Sequence, residues 1–121
     1  MARILIVEDE AVLQKALSDM FVEYNHEAIQ AIDGEQGLEV ARREKPDIIL
    51  LDLVLPKKHG IEVLKELKSD PTTKAIPVIV LTNLEDKDDI QKALEYGARA
   101  YLVKANYDMQ DVISKVEDCL K

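Results

Sequence analysis

The sequence predicts one doubly wound α/β domain, and three observations lead there. Short runs rich in Ile, Val and Leu alternate along the chain with longer segments of helical spacing. The short runs lack polar alternation, which suits strands buried on both faces of a parallel sheet. The chain has 121 residues and 47% hydrophobic content, enough for one core and too little for two. Residues 1–121 are therefore expected to form a single domain.

The first strand is read at Arg3–Val7. In Glu10–Tyr24, the apolar positions Leu13, Ala16, Leu17, Met20, Phe21 and Tyr24 make the stripe of an amphipathic helix. The second strand spans Glu27–Ile32, and Gly34 separates it from a helix over Glu35–Arg43. Pro46 precedes the third strand, Asp47–Asp52. Pro56 and Gly60 then lead into a helix at Ile61–Lys68. Pro71 and Pro77 punctuate the approach to the fourth strand, Ile76–Leu81. The acidic run Glu85–Asp89 opens the next helix, Lys87–Tyr96, where negative charge suits the helix dipole. Gly97 ends that helix before the fifth strand, Arg99–Val103. Asp108 is a candidate N-cap for a last helix carrying Met109, Val112, Ile113, Val116 and Leu120. Right-handed crossovers between such units place helices on both faces of the sheet.

Composition excludes several functions. A net charge of −8 disfavours direct binding to nucleic acid or an anionic membrane. Lys57-Lys58-His59 is a small basic cluster, read as a solvated loop, and His26 and His59 are read as isolated surface residues. The single cysteine, Cys119, permits no internal disulfide. No charged-then-apolar leader opens the sequence, and no stretch reaches the roughly 18 apolar residues that span a bilayer. A cytoplasmic setting is expected.

Doubly wound folds bind ligands outside the carboxyl ends of their strands. Here the first strand ends in Glu8-Asp9-Glu10, the third at Asp52, the fourth at Thr82 and the fifth at Lys104. Each alone reads as an ordinary turn former, cap or surface lysine; their combination on one face carries the argument. If the first and third strands are neighbours, Glu8, Asp9 and Asp52 share one crevice, and their repulsion calls for a cation. An all-oxygen donor set favours Mg²⁺, with Mn²⁺ as substitute, over zinc. A carboxylate can attack a phosphoryl group to give an aspartyl phosphate, with Lys104 and the Thr82 hydroxyl on the remaining oxygens. No P-loop or G-x-G-x-x-G motif is present, and position 54 is Val where an aspartate-nucleophile phosphatase carries a second acid.

These residues resemble the response-regulator receivers of two-component systems over essentially the whole chain. The resemblance rests on Ile6-Val7-Glu8-Asp9-Glu10, Leu51-Asp52 with Pro56 and Gly60, Leu81-Thr82, and Tyr101-Leu102-Val103-Lys104. It implies a flavodoxin-like sheet of order 2-1-3-4-5. It further implies that Asp52 is the phosphoacceptor, and that Mg²⁺ is held by Asp52, Asp9, the backbone carbonyl of Val54 and, directly or through water, Glu8. By the same resemblance, Thr82 and Tyr101 form a switch pair and Lys104 contacts the phosphoryl group. Phosphorylation then draws the Thr82 hydroxyl inward and lets the Tyr101 ring follow, altering the face around the fourth helix, fifth strand and fifth helix. From the residues alone, Tyr101 reads equally as a static aromatic.

Three positions depart from the family pattern. Ala105 follows Lys104 where receivers have a cis proline; a trans bond or a re-formed loop is expected, because a cis bond without proline costs about 3–4 kcal/mol. Asn83 replaces a very small residue. Val54 and Leu84 are both apolar and cannot orient an attacking water, so a long-lived aspartyl phosphate is expected. The resemblance implies a histidine kinase or histidine phosphotransfer protein as phosphodonor and a downstream protein target, through either a monomer or a phosphorylation-dependent dimer. Beyond self-catalysed transfer to Asp52 and slow autodephosphorylation, no enzyme activity is expected. The competing reading is an inert interaction module of the same fold.

Overall fold

The computed structural model describes residues 1–82, 87–104 and 108–121. Strands and helices alternate throughout: β1 (Arg3–Val7), α1 (Ala11–Glu23), β2 (Glu27–Ala31), α2 (Gly34–Glu44), β3 (Ile48–Asp52), α3 (Gly60–Ser69), β4 (Val78–Thr82), α4 (Lys87–Glu95), β5 (Ala100–Val103) and α5 (Met109–Leu120). The strands form one parallel sheet in the order β2-β1-β3-β4-β5. The order reverses between β1 and β3, which puts the switch-point crevice where Glu8 and Asp52 emerge.

The period of two along each strand divides the core between the sheet's faces. Leu5, Val7, Ile49, Leu51, Val78 and Val80 pack with Leu38, Ala41, Val63, Leu64 and Leu67 of α2 and α3. Ile4, Ile6, Ile48, Leu50, Ile79 and Leu81 pack with Leu17, Phe21, Val112, Ile113 and Val116 of α1 and α5. Both faces are covered, which is why β1, β3 and β4 read as unbroken apolar runs.

The edges behave differently. Only Ala31 of β2 is buried, while Glu27 and Gln30 are exposed, so the expectation of two-faced burial does not hold for that strand. Ile32 falls past its end and is 57% exposed. β4 begins at Val78 because Pro77 has no N–H to give the ladder and Ile76 is tied into the preceding turn through Thr73 O. The buried face of α1 is also rotated from the predicted stripe. It comprises Gln14, Leu17, Ser18, Met20 and Phe21, while Tyr24 is 40% exposed.

Helix starts follow the capping signals. Asp108 accepts the Asp111 N–H at 2.9 Å and Asp111 returns a bond to the Asp108 N–H, a capping box built from two aspartates. Asp88 and Asp89 lie in the first turn of α4, as the dipole favours; the rest of that acidic run, Glu85 and Asp86, lies outside the described residues. His59 is exposed and caps α3, its Nδ1 accepting the Ile61 N–H at 3.1 Å. His26 corrects the reading as a surface residue. Its side chain is 11% exposed, its Nδ1 accepts the Ala2 N–H at 3.1 Å, and its ring meets Phe21 edge-on at 6.4 Å. It lies where β2 begins and fills the space between the starts of the strands and α1.

Gly60 sets the distance between α3 and the site. Its N–H donates to Leu53 O at 2.9 Å, and a Cβ there would lie 2.5 Å from Asp52 O. Only glycine lets the start of α3 rest against the backbone that carries Asp52. Among the described residues, no helix is long and apolar enough to cross a membrane.

Candidate functional site

The carboxyl ends of β1, β3 and β5 bring Glu8, Asp9, Asp52 and Lys104 together. Asp52 is 1% exposed; its Oδ1 accepts the Val54 N–H at 3.1 Å and its Oδ2 lies 2.8 Å from Lys104 Nζ. Glu8 is fully buried; its Oε2 accepts the Glu10 N–H at 3.0 Å, and its Oε1 lies 2.8 Å from Lys104 Nζ without hydrogen-bond alignment. Lys104 thus bridges two buried carboxylates, with Glu10 farther off at 3.8 Å. Its main chain is anchored too, the Lys104 N–H donating to Thr82 O at 2.7 Å.

Electrostatics follow from that burial. Desolvation is the largest influence on Glu8, and with the nearby Asp52 charge it pushes the carboxyl up to about 7 despite the Lys104 and Glu10 contacts. Burial by itself would lower the Lys104 ammonium; its contacts with Asp52 and Glu8 outweigh this and hold it above the ordinary lysine value.

Glu8, Asp9 and Asp52 each offer an oxygen, and those oxygens lie within 4.8 Å of one another. With one lysine among three carboxylates, the ionised cluster carries a formal charge of −2, which a divalent cation balances. The donors are all hard oxygens, and the buried Glu8 Oε1 has no aligned donor. The residues fit Mg²⁺.

The other predicted positions fall around this centre. Val54 follows with an exposed side chain. Thr82 ends β4 and is buried, and Tyr101 on β5 is 41% exposed. Lys57 adopts a left-handed φ of 69°, and the Lys58 N–H bonds to Pro56 O across it at 2.7 Å, a tight turn beside the site. Asn83, Leu84 and Ala105 lie outside the described residues, and with them the expectation for the Lys104–Ala105 bond. Gln14 was not singled out in the sequence, yet it sits buried beneath Glu8. The available signal was a polar pair, Gln14 and Ser18, spaced i and i+4 along the apolar stripe.

Comparison with known proteins decides the family. The sequence profile of the response regulator receiver domain matches residues 4–117. The chain belongs to the response regulator receiver family. This receiver is 39% identical over 104 residues to the protein PilH of Pseudomonas aeruginosa, covering 86% of each chain. It is 35% identical to the transcriptional regulatory protein PdtaR of Mycobacterium tuberculosis, of whose length it spans 55%. Among solved structures, it matches the receiver domain of a Pseudomonas aeruginosa sensor histidine kinase with a TM-score of 0.88 and 26% identity, covering 97% of this receiver and 95% of that chain. That structure holds a magnesium ion coordinated in the active-site cleft.

A pH prediction arises here. An acid whose folded pKa is raised stabilises the fold fully below its unfolded value of 4.5, and that stability is lost as pH rises through about 7. The charged Glu8 is therefore a burden on the metal-free receiver at pH 8. Glu8→Gln, which mimics the protonated form, is expected to raise metal-free stability at pH 8 by up to about 3 kcal/mol. The gain shrinks toward zero as the pH falls to 4.5. Thermal unfolding in a chelator at the two pH values checks this; an equal gain at both would refute the cause.

Proposed function

We propose that this receiver takes a phosphoryl group on Asp52 in a Mg²⁺-dependent reaction and passes the change to a partner through the face built by α4, β5 and α5. One observation carries the reading: a buried aspartate in contact with a lysine whose side chain is 10% exposed, with two more carboxylates close enough to share a cation. Receiver domains are signalling domains, and response regulators work with histidine kinases and downstream targets. A phosphohistidine of a kinase or phosphotransfer protein is therefore the natural donor.

Glu8, Asp9, Asp52 and the Val54 carbonyl would hold Mg²⁺, whose charge offsets that gathering on the phosphoryl oxygens. The chain's own groups do the rest. The Val54 N–H fixes one Asp52 oxygen, leaving the other to attack phosphorus. An O–P bond forms as the donor's P–N bond breaks, and its electron pair leaves on the imidazole nitrogen. Lys104 shifts from Asp52 to the arriving phosphoryl oxygens as a point charge. The Thr82 hydroxyl turns to the same oxygens, and the Tyr101 ring moves into the space it leaves. Val54 follows Asp52 with an exposed alkyl side chain that can orient no water, so a long-lived aspartyl phosphate is expected.

Intact mass after incubation with acetyl phosphate tests the proposal. The expected result is the gain of one phosphoryl group that depends on Mg²⁺ and disappears in a chelator. Uptake that ignores the chelator would overturn the metal's role. No uptake by folded, Mg²⁺-binding protein would overturn the acceptor.

A further inference from the structure

We infer that Gln14 is a positioning residue for this site, holding the turn that presents the Glu8 and Asp9 carboxylates; this rests on the reading of those groups as Mg²⁺ ligands. Gln14 lies near the start of α1 and is 5% exposed. Its Nε2 lies 3.0 Å from Ile6 O, 3.2 Å from Glu8 O and 3.1 Å from Ala31 O. An amide has two N–H groups, so at least one is shared between carbonyls. The main-chain N–H of the same residue donates to Glu10 O at 2.9 Å. Gln14 thus grips the Glu8-Asp9-Glu10 turn at both ends, by side chain at Glu8 and by backbone at Glu10.

The geometry acts on the ligands directly. A peptide is planar, so fixing the Glu8 carbonyl fixes the whole Glu8–Asp9 peptide and the place of the Asp9 Cα; with Glu10 O held as well, the rotations left about that Cα are restricted. Asp9 is exposed, so its aim depends on that backbone. The amide's own orientation is locked from behind: Ser18 Oγ donates to Gln14 Oε1 at 3.3 Å, and Gln30 Nε2 donates to Ser18 Oγ at 3.0 Å. With its oxygen engaged, the Gln14 nitrogen is committed to the carbonyls. Plain packing does not require this residue. The Glu8 N–H already bonds to Ala31 O at 3.0 Å, so the β1–β2 ladder closes at this end without the side chain. An apolar side chain of the same length would fill the volume; what glutamine adds is donors aimed at the ligand turn. Support of this kind behind metal ligands changes metal affinity by about 10–100-fold.

The test compares wild type, Gln14→Met and Val116→Ala, the last a destabilising control on α5, away from the turn. Mg²⁺ is titrated into each and followed by backbone amide shifts in NMR, and phosphoryl uptake from acetyl phosphate is measured at saturating Mg²⁺. The expected result is Mg²⁺ binding at least about tenfold weaker in Gln14→Met. Saturating Mg²⁺ restores its uptake to near the wild-type rate, and Val116→Ala keeps wild-type Mg²⁺ affinity. Unchanged affinity in Gln14→Met, or equal weakening in both variants, overturns the inference alone. A wild type that binds no Mg²⁺ overturns the reading of the site and the inference together.

Discussion

Asp52→Asn is expected to abolish phosphoryl uptake from acetyl phosphate while leaving the receiver folded. The two halves of that result have separate causes. An amide oxygen is a poor nucleophile and cannot form a stable acyl phosphate, so the chemistry is lost outright. The fold survives because asparagine is nearly isosteric and its side-chain oxygen can still accept the Val54 N–H that Asp52 Oδ1 accepts at 3.1 Å. Lys104 keeps Glu8 as a partner at 2.8 Å. Intact mass and far-UV circular dichroism on one sample check both halves. Residual uptake would mean that a second carboxylate reacts, and exposed Asp9 is the first to examine.

The sheet interior was legible because a physical constraint acts on every residue there. β3 is buried on both faces, so each of its positions must be apolar until the strand ends at Asp52. At the edges that constraint relaxes. β2 pairs on one side only and exposes Glu27 and Gln30, so its composition says less about where it lies. The chemistry of the site was legible for a related reason. Strand ends on one side of a doubly wound sheet converge, so Glu8, Asp9, Asp52 and Lys104 could be assembled from their places in the chain.

What was not legible depends on three-dimensional partners. Gln14 and Ser18 look like interruptions of an apolar stripe; their burial rests on the carbonyls that Gln14 meets and on the Gln14 and Gln30 side chains that Ser18 meets. His26 reads as a lone polar residue, yet its ring closes a space between Ala2 and Phe21 that composition does not reveal. Gln14 and the Nδ1 of His26 are buried against backbone groups of other elements, pairings of which the sequence shows at most the polar i, i+4 spacing of Gln14 and Ser18.

Lys104→Met is expected to destabilise the metal-free receiver at pH 8 by about 3–5 kcal/mol, the usual effect of removing one partner from a buried charge cluster. The Lys104 ammonium lies 2.8 Å from both Glu8 and Asp52, and its loss leaves two buried carboxylates facing each other. Its raised pKa gives the sign. The stabilisation is fully present below the unfolded value of 10.5 and is lost only as pH rises through the higher folded one, so it operates across the physiological range. Two compensations distinguish this cause from lost packing. Mg²⁺ should restore much of the stability, because a cation among Glu8, Asp9 and Asp52 replaces the missing charge. Combining Lys104→Met with Glu8→Gln should cost clearly less than Lys104→Met alone, because one of the two stranded charges is gone. Chemical denaturation of the three variants, with Mg²⁺ and with chelator, measures both. A loss that neither Mg²⁺ nor Glu8→Gln relieves would mean that the lysine stem packs the site and that its charge contributes little to the fold.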